Sequence, residues 1–118
     1  MESVNFFKSM SQLRDMTERI VQVFHEYDKQ GTKTWTYDVA ANDLQYQVGS
    51  LIKRILQLKG FRYKEGLSDD DIREKLADEL ADILAEVLFI AHDMDIDIET
   101  ACDKMLESDE RKIQERSS

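Results

Sequence analysis

Apolar residues recur at helical spacing through four stretches of the chain, separated by short polar segments. In the first, roughly residues 4–27, Phe6, Met10, Leu13, Ile20, Val21 and Phe24 follow the helical period, and Gly31 breaks the pattern within DKQGTKT. The second is expected from about residues 36–38 to 59, with Val39, Leu44, Val48, Leu51, Ile52, Ile55 and Leu56 as its buried stripe and Gly60 at its close. After the FRYKEG loop, Ser68 is the expected N-cap of a third helix reaching about residue 92. Asp71 stands three residues on, and Asp69 to Asp71 suit the positive end of the helix dipole. The fourth helix opens after MDID, with Asp97 as cap and Glu99 in its first turn, and runs to about residue 115.

The third helix is the unusual one. From Leu80 to Ala91 it reads LADILAEVLFIA, apolar nearly all round except for Asp82 and Glu86, and a helix of that kind is surrounded. Three short neighbours do not easily surround it, so the expectation is a homo-oligomer whose subunits complete each other's bundle; a self-sufficient antiparallel bundle is the alternative.

Composition narrows the class. With 118 residues, no proline and four glycines, the chain has room for one all-α domain spanning 1–118. A net charge of -9 without basic clusters argues against a nucleic acid polymer or an anionic membrane surface as partner, and leaves small anionic substrates reached through a cation. Cys102 is the single cysteine, which fits a reducing compartment, and it is expected to be a small buried hydrophobe. No run of 18 uncharged apolar residues occurs and the N-terminus lacks a basic region followed by an apolar one, so the protein is expected in the cytoplasm.

Chemistry concentrates on two helices. Glu79, Asp82 and Glu86 share one face of the third, flanked by Asp78; unpaired carboxylates in an apolar run are costly, so a cation is expected beside them. Carboxylate oxygens at this spacing suit Mg²⁺ or Mn²⁺, and equally describe an acidic stripe that pairs with Lys or Arg of a neighbouring helix. On the second helix Asp43, Gln47, Ser50 and Arg54 form a polar stripe opposite the apolar one. Gly49 within it either lets a helix or ligand approach or marks a tolerated helix crossing. His25 and His92 have no companion at ligand spacing, which speaks against zinc and against a Cys–His nucleophile.

The segments DLQYQVGSLIKRI and EKLADELADILAEVLFIAHDMDIDIETA resemble, over about residues 35–106, the MazG-like all-α nucleoside triphosphate pyrophosphatases. That family carries E-E-V-G-E-L on one helix, E-E-L-A-D-V-L on the next, and I-D-L-E at the start of the last. Here Glu79-Leu80-Ala81-Asp82 stands as the family's E-x-x-D and Ile96 to Glu99 reads IDIE, whereas the first helix departs, with Gln47 and Ser50 at the E-x-x-E positions around Val48 and Gly49.

The resemblance implies a four-helix MazG-like bundle completed by homo-oligomerisation, as a homodimer or homotetramer. It implies Mg²⁺-dependent hydrolysis, with Mn²⁺ as substitute, of a ribo- or deoxyribonucleoside triphosphate to the monophosphate and pyrophosphate. Glu79, Asp82 and Gln47 then take the catalytic positions. Glu79 and Asp82 are the metal ligands, with Asp43 and Glu86 as substitutes for the lost charge. Trp35, Ser50, Lys53, Arg54, Lys104 and Arg111 are substrate-binding candidates, beside Tyr37 and Lys112. Phe61, Arg62 and Tyr63 have side chains suited to closing over a substrate. For Trp35 a core anchor, and for the basic residues plain solvation, are the competing readings. The alternative function is an impaired relative that binds a nucleotide or a protein without hydrolysis, and Gln47 and Ser50 support it.

Overall fold

The computed structural model describes residues 2–31 and 33–117, with side chains from Leu13 onward, so the expected core positions Phe6 and Met10 lie outside the described side chains. It contains α1 (Glu2–Gln30), α2 (Tyr37–Leu58), α3 (Asp69–Asp93) and α4 (Ile98–Ser117), with no strand among the described residues. All four expected helices form, α1 extending further at both ends than its apolar period predicts.

The boundaries follow from local chemistry. At the start of α3 the Ser68 hydroxyl accepts from the Asp71 N–H at 3.1 Å and the Asp71 carboxylate accepts from the Ser68 N–H at 3.2 Å, a capping box. α2 ends in a Schellman turn. Gly60 takes φ +84°, the Phe61 N–H reaches the Leu56 carbonyl at 2.9 Å, and the Gly60 N–H reaches that of Gln57 at 3.1 Å. α3 ends in the same motif around Asp95, at φ 56°, where aspartate stands in for glycine. Asp97 caps α4, accepting from the Thr100 N–H at 3.1 Å and its hydroxyl at 2.8 Å, which hold its carboxyl below the usual range.

α3 is the central element, with α2 packed along one side and α1 on another. The core joins Val21, Ala40 and Phe89 from three helices, with Phe24, Trp35 and Ile90 packed against it. Phe24 bridges the aromatic stack, its ring 4.5 Å from Phe89 and 5.4 Å from Trp35 between centroids, pairs each worth about 0.5–1.5 kcal/mol beyond area burial.

Two expectations are corrected. The apolar stripe of α2 is only partly covered within the chain: Leu44, Leu51 and Leu56 are half-buried, Val39, Val48, Ile52 and Ile55 are exposed, and the buried residues of α2 are Ala40 and Gln57. The reason is that the covered face of α2 is mixed, with Asp43, Gln47 and Ser50 half-buried beside Leu44 and Leu51. Cys102 is exposed, because α4 buries none of its residues. One chain does not surround α3, as its short neighbours led us to expect: Leu80 and Leu84 remain 53% and 44% exposed, which is not the self-sufficient bundle of the alternative.

Candidate functional site

The two helices of the polar seam run antiparallel. The backbone N–H of Tyr37, at the start of α2, donates to the Asp93 carboxylate at 2.8 Å, at the end of α3. Nearly two turns further along α2, Asp43 meets Glu86, nearly two turns back along α3. The same register carried onward sets Gln47 level with Asp82 and Ser50 level with Glu79. It ends at Gln57 and Ile72, both wholly buried.

Glu86 is 4% exposed and faces a like charge. Burial first, then its hydrogen bond to Asp43 and the charges of Asp43 and Asp82, push its carboxyl up to about 8. Its Oε2 is buried with no hydrogen-bond donor. Asp43 is half-buried and takes a long bond, 3.4 Å, from the Gln47 side-chain amide. Among the described residues Arg14–Glu99, Lys29–Glu26, Lys53–Glu65 and Lys64–Asp69 form ion pairs, and none of these involves Asp43, Asp82 or Glu86. A solvated stripe paired with basic residues is therefore not what this chain builds at that end of the seam.

Among the described residues no group of three or more His, Cys, Asp or Glu is placed to hold a metal. The two-carboxylate contact of Asp43 and Glu86, with an orphaned buried oxygen, fits a hard cation that takes its remaining ligands from outside the chain, as Mg²⁺ commonly does with water and phosphate. Glu79 is half-buried. Asp82 is exposed and borders a groove of about 440 Å³ between α1 and α3, lined also by Arg19, Ile20, Phe24 and Tyr27.

The other candidates are dispersed. Trp35 is half-buried, its ring against Phe24 and its backbone N–H donating to the Asp28 carboxylate at 2.9 Å, so it is committed to the core. Lys53 pairs with Glu65 of the loop after α2 at 3.0 Å, and Arg54 donates to Gln57 one turn along its own helix at 3.1 Å. Lys104, Arg111 and Lys112 are exposed on α4. No Cβ added at Gly49 would meet anything within 4 Å, so no helix of this chain uses it for close approach.

Two functional positions escape a reading of the sequence. Asp93 supplies the partner for the first N–H of α2, while the Thr36 hydroxyl donates to Asp38 rather than capping the helix. Gln57, wholly buried, ties the loop down through its amide to the Tyr63 carbonyl at 3.0 Å. A glutamine inside the apolar run RILQL was the available signal. That loop displays Phe61 and Tyr63 to solvent; along α2 it begins roughly 25 Å from Asp43, at 1.5 Å per residue, too far to cover the acidic pair of its own chain.

Comparison with protein families matches residues 42–118 to the MazG nucleotide pyrophosphohydrolase domain. No curated protein and no solved structure matches the chain.

Proposed function

Since the chain belongs to the MazG nucleotide pyrophosphohydrolase family, we propose that it hydrolyses a ribo- or deoxyribonucleoside triphosphate to the monophosphate and pyrophosphate, with Mg²⁺ or Mn²⁺ as cofactor. The observation that carries this reading is the polar content of the packed face of α2. Asp43, Gln47 and Ser50 are half-buried there beside Leu44 and Leu51, while Val48, Ile52 and Ile55 are exposed. Three polar side chains on a packed face forgo apolar burial, the main gain from packing, so a role beyond packing is the reading they support. When bound, the divalent cation supplies positive charge against the phosphate oxygens. Glu79 and Asp82 hold it from α3, Gln47 keeps the Asp43 carboxylate oriented, and the groove beside Asp82 offers Phe24 and Tyr27 for the nucleoside and Arg19 for phosphate. The outward apolar face is the contact of a homodimer or homotetramer. No helix among the described residues is long and apolar enough to cross a membrane.

Pyrophosphate release from a panel of ribo- and deoxyribonucleoside triphosphates tests the reading. The expected result is cation-dependent turnover that drops roughly a hundredfold or more in Asp82→Asn, the scale of losing one preorganised electrostatic contact. Absence of turnover on every nucleotide under both metals overturns it. One observation favours a second reading, a scaffold that binds nucleotide without hydrolysis: Gln47 and Ser50 are neutral and no three-carboxylate group is assembled among the described residues. Nucleotide binding without pyrophosphate release is its signature.

A further inference from the structure

At the loop end of the hairpin the packed face of α2 finishes in a chain of side-chain bonds. Arg54, one turn beyond Ser50, is half-buried and donates through its Nη1 to the Gln57 side-chain oxygen at 3.1 Å. Gln57 is wholly buried, and its amide donates to the Tyr63 carbonyl at 3.0 Å. An apolar side chain in that place would gain more from burial, so the two bonds are what the glutamine adds: they fix the direction of Arg54 against the loop. The Arg54 Nε–H is buried and has no acceptor. A buried donor left unmade is costly, and an arginine does not escape the cost by giving up its proton. None of the ion pairs among the described residues involves Arg54. Its nearest charge partner, Glu65, is bonded to Lys53 at 3.0 Å. That bond, then the charges of Lys53, Arg54 and Arg62, hold the Glu65 carboxyl below its ordinary range. Three basic side chains thus share one carboxylate in a chain of net charge -9.

We propose that Arg54 binds the pyrophosphate end of the nucleotide's phosphate chain and that Gln57 is the positioning residue that holds it for this task. The inference rests on the pyrophosphohydrolase reading given above and adds a direction to it. Gln47 is level with Asp82, which borders the groove of Phe24 and Tyr27, and Arg54 stands seven residues further along α2, about 10 Å. From a nucleoside in that groove the phosphates can run either way along the seam. Toward the start of α2 they meet Asp43 and Asp93, which repel them; toward its end they meet Arg54. A guanidinium donates to two phosphate oxygens at once, which a lysine does not. Arg19, beside the groove, is left for the phosphate nearest the nucleoside.

The two ends of such a site are read separately by isothermal titration calorimetry in Mg²⁺ buffer, with inorganic pyrophosphate and with a nucleoside monophosphate. Arg54→Ala and Gln57→Leu are each expected to weaken pyrophosphate binding roughly tenfold or more, the scale of a charge-assisted hydrogen bond, while monophosphate binding stays within about twofold. Arg54→Lys, which keeps the charge without the fork, is expected to lose part of that affinity with helix content by circular dichroism unchanged. Unaltered pyrophosphate affinity in Arg54→Ala overturns the proposal. Equal losses for both ligands in Gln57→Leu, the mark of a hairpin that has merely loosened, overturn the positioning role. A wild-type protein that does not bind pyrophosphate also overturns the proposal, and turnover of nucleoside triphosphates in that case leaves the broader reading standing. Failure both to bind pyrophosphate and to release it from any nucleotide overturns the two together.

Discussion

Glu86 is the residue on which the interior is least at ease. Its folded-state carboxyl, pushed up to about 8 by burial and by Asp43 and Asp82, holds a proton that the unfolded chain releases at ordinary carboxylate pH. The folded state then binds more protons than the unfolded chain between those limits, so in the absence of cations the contribution of Glu86 to stability is fully present below the ordinary carboxylate range and is lost as pH rises toward 8. Thermal melts in chelator are expected to lose several degrees from pH 5 to pH 8, and Glu86→Gln is expected to flatten that slope and melt higher at pH 8; a slope identical in the variant removes Glu86 as its source. Sequence spacing alone placed Asp82 and Glu86 on one helix face and implied a compensating cation. It did not pair Glu86 with Asp43, because partners that far apart in the chain meet only through the register of α2 on α3.

At the scale of elements, the helix ends were the most legible part of the chain. Ser68, Asp71, Gly60 and Asp97 act through bonds to residues a few positions away, so their effect does not wait for tertiary structure. Ser68→Ala is expected to cost about 1 kcal/mol, measured as a shifted denaturant midpoint with unchanged slope. Gly49 is a second case. With open space where a Cβ would stand and a mid-helix position, Gly49→Ala is expected to stabilise the single chain by about 0.5–1 kcal/mol. A loss of stability instead means that another chain closes on that position. Which face of α2 packs was not legible in the same way. Amphipathicity identifies two faces, and the packed face of α2 lies between them, covering Leu44 and Leu51 together with Asp43, Gln47 and Ser50.

The whole molecule carries more surface than one folded chain of its size. Its accessible area is 9352 Å², against about 6,600 Å² for a compact monomer of this mass, and its radius of gyration is 17.9 Å against about 13.5 Å. The excess is apolar where Val48, Ile52, Ile55, Leu80 and Leu84 stand exposed, and again on α4 at Met105, Leu106 and Ile113. Sedimentation equilibrium is expected to return a multiple of the 13.8 kDa chain mass, and Ile52→Lys combined with Leu84→Lys to shift it toward the monomer. A monomeric wild-type protein at micromolar concentration contradicts the reading of that face as a subunit contact.

The number of helices, their caps and the acidic ladder on α3 were determined by the sequence itself, since each depends on period or on contacts between near neighbours. The family resemblance was likewise legible, carried by E-L-A-D and IDIE and matched over residues 42–118. Tertiary structure alone decided which face of α2 meets α3, that Trp35 belongs to the aromatic core, that α4 and Cys102 stay exposed, and that Asp43 and Glu86 share one buried contact. Those outcomes turn on which surfaces of distant segments come together, and helical periodicity records the surfaces without recording their partners.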